Sequence, residues 1–150
     1  ESSALEDNVA VGTAINNTAM LALVGRNVTV AGNDVSMSGG TASESVIAAG
    51  ANGRATIKVT DANGRVVRTY EQDVTKGLNT VTWDGRTDDG AVAADGKYTI
   101  STEVKDASGA AVTFTNLMTG AVTGLRYSDN QAIVMVNGEE YFVSEIYKVS

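Results

Sequence analysis

V-T-W-D-G-R-T-D-D-G-A-V-A-A-D-G-K-Y, Val81 to Tyr98, is the stretch that decides how this chain folds. Trp83, its single tryptophan, closes the alternating run Leu78-Asn79-Thr80-Val81-Thr82-Trp83. Three acidic-glycine pairs follow: Asp84-Gly85, Asp89-Gly90 and Asp95-Gly96. Glycine supplies positive φ and Asp side chains accept from nearby backbone N–H groups, so this spacing predicts consecutive tight turns. Tyr98 then opens the next alternating run, Y-T-I-S-T-E-V. Alternation on both sides of a turn-rich loop predicts one edge of a small β-sandwich. Trp83 is expected to anchor its core, because a large aromatic supplies much buried area; an exposed recognition role is the alternative. Trp83, Asp84, Gly85, Gly90, Gly96 and Tyr98 together make a structural motif that holds no reactive group.

The same pattern continues outward. Ala55 to Thr60 alternates, Asp61-Ala62-Asn63-Gly64 turns, and Arg65 to Tyr70 answers it. Lys97 to Asp106, the turn Ala107-Ser108-Gly109-Ala110 and the run Ala111 to Thr115 follow the acidic loops. Strands of this length and spacing predict a sandwich or barrel.

Upstream, Leu5, Val9, Val11, Ile15, Ala19 and Ala22 fall at helical spacing, which predicts a helix over residues 4–23. From Arg26 the period becomes two. Arg26 to Ala31 and Asp34 to Ser38 read as a hairpin across Gly32-Asn33. Gly39 to Ser45 reads as a connector and Ser45 to Ala51 as a short strand. The tail adds Met118 to Ser128, Ala132 to Val136, the Asn137-Gly138 turn, Glu140 to Val143 and Ile146 to Val149. A two-stranded hairpin is not stable alone. Hairpin and tail are therefore expected to pair into one small barrel, with the middle block as an insertion. The expected division is a helical segment over 1–23, a split barrel from 24–45 plus 116–150, and an inserted sandwich over 46–115.

Composition narrows the chemistry. The chain has 150 residues, 43% of them hydrophobic and only 5% aromatic, so its core must be mainly aliphatic. A net charge of −7 repels phosphate backbones and anionic lipid, which argues against nucleic-acid and membrane partners. Histidine and cysteine are both absent, which removes Ser-His-Asp triads, Cys nucleophiles, Cys/His zinc sites and disulfides. No catalytic residue, cofactor site or metal site is expected. The start Glu1-Ser2-Ser3 shows neither Met nor a secretory signal, and reads as a fragment whose natural start lies upstream.

Three sharper readings can be weighed. Asp84, Asp88, Asp89 and Asp95 could gather around calcium, but their spacing does not match an EF-hand loop, and Asp is ordinary in turns. The same carboxylates could be a glycosidase pair, yet few aromatics are available to line a sugar cleft. Arg126, Tyr127, Tyr141, Phe142 and Tyr147 could form an aromatic cage for methylated lysine, or pack the barrel. Met135 alternates with Val134 and Val136 and could face core or partner. Tyr127, Met135, Tyr141 and Phe142 are the candidate interface residues.

These residues resemble the C-terminal region of the flagellar hook cap family, also called hook assembly scaffolding or basal-body rod modification proteins. Three stretches carry the resemblance. They are Leu23-Val24-Gly25-Arg26-Asn27-Val28, the central K-V-T-D-A-N-G-R-V-V-R-T-Y with G-L-N-T-V-T-W-D-G-R-T-D-D-G and D-G-K-Y, and Asn116-Leu117-Met118-Thr119-Gly120-Ala121-Val122-Thr123-Gly124-Leu125. The resemblance implies a mainly β fold: a Tudor-like barrel split by an inserted fibronectin type III or immunoglobulin-like sandwich, with an N-terminal helix. It implies a non-enzymatic scaffold that guides hook protein subunits into the growing hook. Implied partners are hook protein, further copies of itself in a homo-oligomeric cap, and the flagellar type III export apparatus. Implied location is the tip of the growing hook, after a transient cytoplasmic stage. The rival reading is a secreted immunoglobulin-like binding or adhesion module.

Overall fold

The computed structural model describes residues 21–150. Twelve strands follow one another: β1 (Asn27–Ala31), β2 (Asp34–Ser38), β3 (Thr41–Ala42), β4 (Ser45–Ala49), β5 (Gly53–Asp61), β6 (Val66–Val74), β7 (Gly77–Thr80), β8 (Gly96–Lys105), β9 (Phe114–Ser128), β10 (Gln131–Val136), β11 (Glu139–Phe142) and β12 (Ile146–Val149). A 3-10 turn, Val143–Glu145, joins the last two. The fold is mainly β. The helix expected over residues 4–23 lies outside the described residues, apart from its last positions, which run into a turn at 22–25.

The chain divides into two compact units. One is Gly32–Met118; the other joins residues up to Ala31 with Thr119–Ser150. In the Gly32–Met118 unit, one antiparallel sheet has the order β3-β2-β8-β5-β6. Strand β4 pairs with β7 on one side and with Phe114–Met118 of β9 on the other. Alternation sets which residues face inward. Ala55, Ile57 and Val59 of β5, Ile100 and Val104 of β8, and Ile47 and Ala49 of β4 share one buried cluster. Each large aliphatic in it contributes about 1.5–3 kcal/mol by leaving water. The hairpins are tied by their own aspartates: Asp61 accepts from the N–H groups of Asn63 and Arg65, and Asp106 from those of Ser108 and Ala110.

In the other unit the order is β11-β10-β9-β1-β12. Val28 and Val30 of β1, Val122 of β9, Val134 and Val136 of β10 and Ile146 of β12 are buried. The Leu23–Val28 stretch is structural. Leu23 is buried, and Gly25 N–H and Arg26 C=O both pair with Val122. The ladder skips Thr123, since Met135 pairs with Gly124 but Val136 pairs with Val122. That bulge keeps Val122 and Leu125 on one face, which strict alternation would not. Gly120 is required by close approach: a Cβ there would lie 2.7 Å from Val136 Cγ1 and 2.8 Å from Asn137 Nδ2.

The structure corrects the expected hairpin of residues 26–38. Strand β1 pairs with β12, whereas β2 pairs with β3 and β8. Gly32 N–H donates to Asn116 C=O, and Asn33 C=O accepts from Ile100 N–H. The two residues taken for a turn thus send their hydrogen bonds to other strands. Alternation specifies the faces of a strand but not its neighbour. A second difference concerns the tail: the runs expected at 111–115 and 118–128 are largely one continuous strand, β9.

Candidate functional site

The loop after Trp83 is a framework of satisfied polar groups. Trp83 is 8% exposed and Tyr98 7%, with ring centroids 5.5 Å apart at a tilted 59°. Trp83 Nε1 donates to Arg86 C=O at 2.9 Å, and Tyr98 Oη donates to Ala94 C=O at 2.7 Å. Both rings bury their apolar bodies while their polar tips pin the loop between them. Gly85, Gly90 and Gly96 have φ of +78°, +88° and +143°.

All four aspartates are engaged, Asp84 and Asp89 within the loop and Asp88 and Asp95 with neighbouring backbone. Asp84 Oδ1 accepts from Arg86 N–H at 3.0 Å, and Asp95 Oδ1 from Gly39 N–H at 3.1 Å. Asp89 accepts from Thr87 Oγ1 and from Ala91 N–H; the Thr87 hydroxyl, then the Ala91 amide, hold its carboxyl below the usual range. Asp88 Oδ1 accepts from Thr69 N–H at 3.2 Å. Among the described residues no group of three or more acidic side chains is placed to hold a metal ion.

Arg68 joins this loop to β6. Its guanidinium lies 3.4 Å from Asp84 Oδ1, 3.7 Å from Asp88 Oδ1 and 3.3 Å from Arg86 C=O, and 5.6 Å from the centre of the Tyr70 ring. Sequence reasoning passed over Arg68. A signal was available: by alternation it sits on the inward parity with Tyr70, where a cation needs a partner.

The C-terminal aromatics do not converge. Arg126, Ile133 and Phe142 form one cross-strand row, and Leu125, Val134 and Tyr141 the next. Adjacent residues of a strand face opposite ways. Phe142 and Met135 therefore share one face with Arg126, while Tyr141 and Tyr127 share the other with Val134. A cage from Arg126, Tyr127, Tyr141, Phe142 and Tyr147 would have to draw on both faces of the sheet, as would an interface of Tyr127, Met135, Tyr141 and Phe142. Arg126 is held by Glu140 through two contacts of 2.7 Å, which lower the Glu140 carboxyl and raise the guanidinium. Met135 is half-buried and lies over Gly124. Phe142 is 43% and Tyr127 51% exposed. Tyr147, in β12, is half-buried.

Comparison with known proteins gives this core, with its ring of engaged carboxylates, a family. Residues 32–108, more than half of the chain, match the family model described as the FlgD Ig-like domain. The chain belongs to the FlgD Ig-like domain family. The basal-body rod modification protein FlgD of Salmonella typhimurium is 43% identical over 49 residues, 32% of this chain and 21% of that protein. The chain thus matches about a fifth of the length of that FlgD relative. The crystal structure of FlgD from Xanthomonas campestris, described in connection with hook capping essential for flagellar assembly, superposes with a TM-score of 0.75 at 27% identity. That likeness covers 86% of this chain and 95% of the other. FlgD from P. aeruginosa superposes with a TM-score of 0.74 at 18% identity, covering 85% and 98%, a likeness of fold.

Proposed function

We propose that this chain is part of a scaffold that caps the growing flagellar hook and guides hook protein subunits into it. The supporting observation is the Xanthomonas campestris FlgD likeness, which extends beyond the Ig-like region to the flanking strands. A free-standing adhesion module of the same sandwich would not need those flanks to match. We read the unit of residues up to 31 and 119–150 as the Tudor-like split barrel, and the unit of residues 32–118 as the inserted fibronectin type III-like sandwich. The domain limits then move from 45/46 and 115/116 to 31/32 and 118/119.

The mechanism is steric and needs no enzymatic step. Copies of the chain form a platform at the hook tip, beyond the cell, and leave one incorporation site open. Polar side chains make weak, replaceable contacts with hook protein, because a cap must move as subunits add. A cysteine-free chain suits threading through the type III export channel and refolding without disulfides.

Complementation tests this reading. The full-length protein containing this region, expressed in a bacterium lacking its own hook cap, is expected to restore hooks visible by electron microscopy. Exported, folded protein with no hooks would overturn the proposal.

A further inference from the structure

Strand β6 is the last strand of its sheet and nine residues long. An uncovered edge of that length is a template for another chain. The segment from Thr80 to Asp88 runs along it in the opposite direction and is fixed at three places. Gln72 donates to Thr80 C=O at 3.0 Å and accepts from Thr82 N–H and Oγ1 at 3.0 and 3.1 Å. Arg68 holds Asp84 and the Arg86 carbonyl. Asp88 completes the series: its N–H donates to Val67 C=O at 2.9 Å while its Oδ1 accepts from Thr69 N–H at 3.2 Å. One residue thereby imitates a paired strand, occupying an outward acceptor and an outward donor of the ladder.

We propose that the Thr80–Asp88 segment is an edge lock, with Asp88 as its bolt, that keeps β6 from pairing with β6 of a second copy of this chain. The occupant follows from the geometry. Two identical edges meet antiparallel across a two-fold axis, so each copy presents what the other needs. The rest of the edge is guarded by charge. Glu71 and Asp73 stand in the same strand, each tied to Arg54 of β5, at 3.1 and 2.8 Å. Like charges placed opposite one another disfavour pairing.

Sedimentation velocity of the full chain over a range of concentrations tests the lock. Asp88→Ala removes the acceptor for Thr69 N–H and one of the partners of Arg68, which keeps Asp84 and the Arg86 carbonyl. It is expected to lower the apparent dimer dissociation constant at least tenfold relative to the unaltered chain, and Asp88→Asn, which keeps an acceptor oxygen, is expected to leave it nearly unchanged. Folded Asp88→Ala that sediments like the unaltered chain at every concentration overturns the proposal. Should Asp88→Ala fail to fold, hydrogen exchange on the unaltered chain decides. The Thr69 amide is expected to exchange at least tenfold more slowly than those of Glu71 and Asp73, which the ladder turns the same way. Equal rates overturn the lock.

Discussion

At Trp83, three residues beyond the end of β7, a single side chain joins the loop to the core. Its ring lies against Tyr98 and its Nε1 holds Arg86 C=O. Trp83→Ala leaves a large cavity and frees that carbonyl, so it is expected to cost about 3–5 kcal/mol, measured as a fall in the denaturation midpoint. The acidic loop residues act differently. Asp89 and Asp106 are lowered by the Thr87 and Ser108 hydroxyls first and then by backbone N–H groups, and Glu140 is lowered by Arg126. A carboxyl depressed in the folded state adds stability above its unfolded pKa, and that stability is lost as pH falls through the folded value. The melting temperature is therefore expected to hold steady from pH 7 toward 5 and to drop below about pH 4, the ordinary carboxylate range. Glu140→Gln is expected to shrink that drop; an unchanged pH profile would remove Glu140 from the account.

At the level of elements, turn chemistry and ladder register do different work. The Asn137-Gly138 turn has φ of +53° and +80° at its two residues and joins β10 to β11 in the register that two-residue hairpins favour. Its tightness brings Asn137 and Val136 onto Gly120. Gly120→Ala would force a Cβ to 2.7 Å from Val136 Cγ1. Overpacking of that kind costs about 1–3 kcal/mol, readable as a lower melting temperature. Gly124→Ala is the matched control, since its Cβ would sit 3.5 Å from Met135 Cγ, ordinary contact. It is expected to cost less than Gly120→Ala. Equal losses would mean that strand propensity, not the close approach, sets the penalty. Both glycines stand in the stretch that resembled the hook cap family, yet only the coordinates separate a required glycine from a permissive one.

For the whole molecule, the Gly32–Met118 unit carries its own aliphatic core, and its ends lie near each other, with Gly32 N–H donating to Asn116 C=O at 3.0 Å. Residues 32–118 expressed alone are expected to fold cooperatively, with dispersed amide signals and a single denaturation transition. A disordered product would show that the unit depends on its flanks. Local physics made much of this molecule legible. Period-two alternation marked most strands, acidic-glycine pairs marked the turns, and a lone tryptophan amid aliphatics marked the sandwich core. The missing histidine and cysteine removed whole classes of chemistry without any coordinates. Partnership was legible only in part. The 26–38 run was expected to pair with the tail, and β1 does join β12, but that β2 joins β8 instead and that Arg68 clasps the acidic loop were decided by tertiary structure. Faces and turns depend on neighbours two to four residues away, whereas these strand pairings join residues as distant as Val35 and Tyr98 or Val28 and Val149 and depend on which closure buries the most surface.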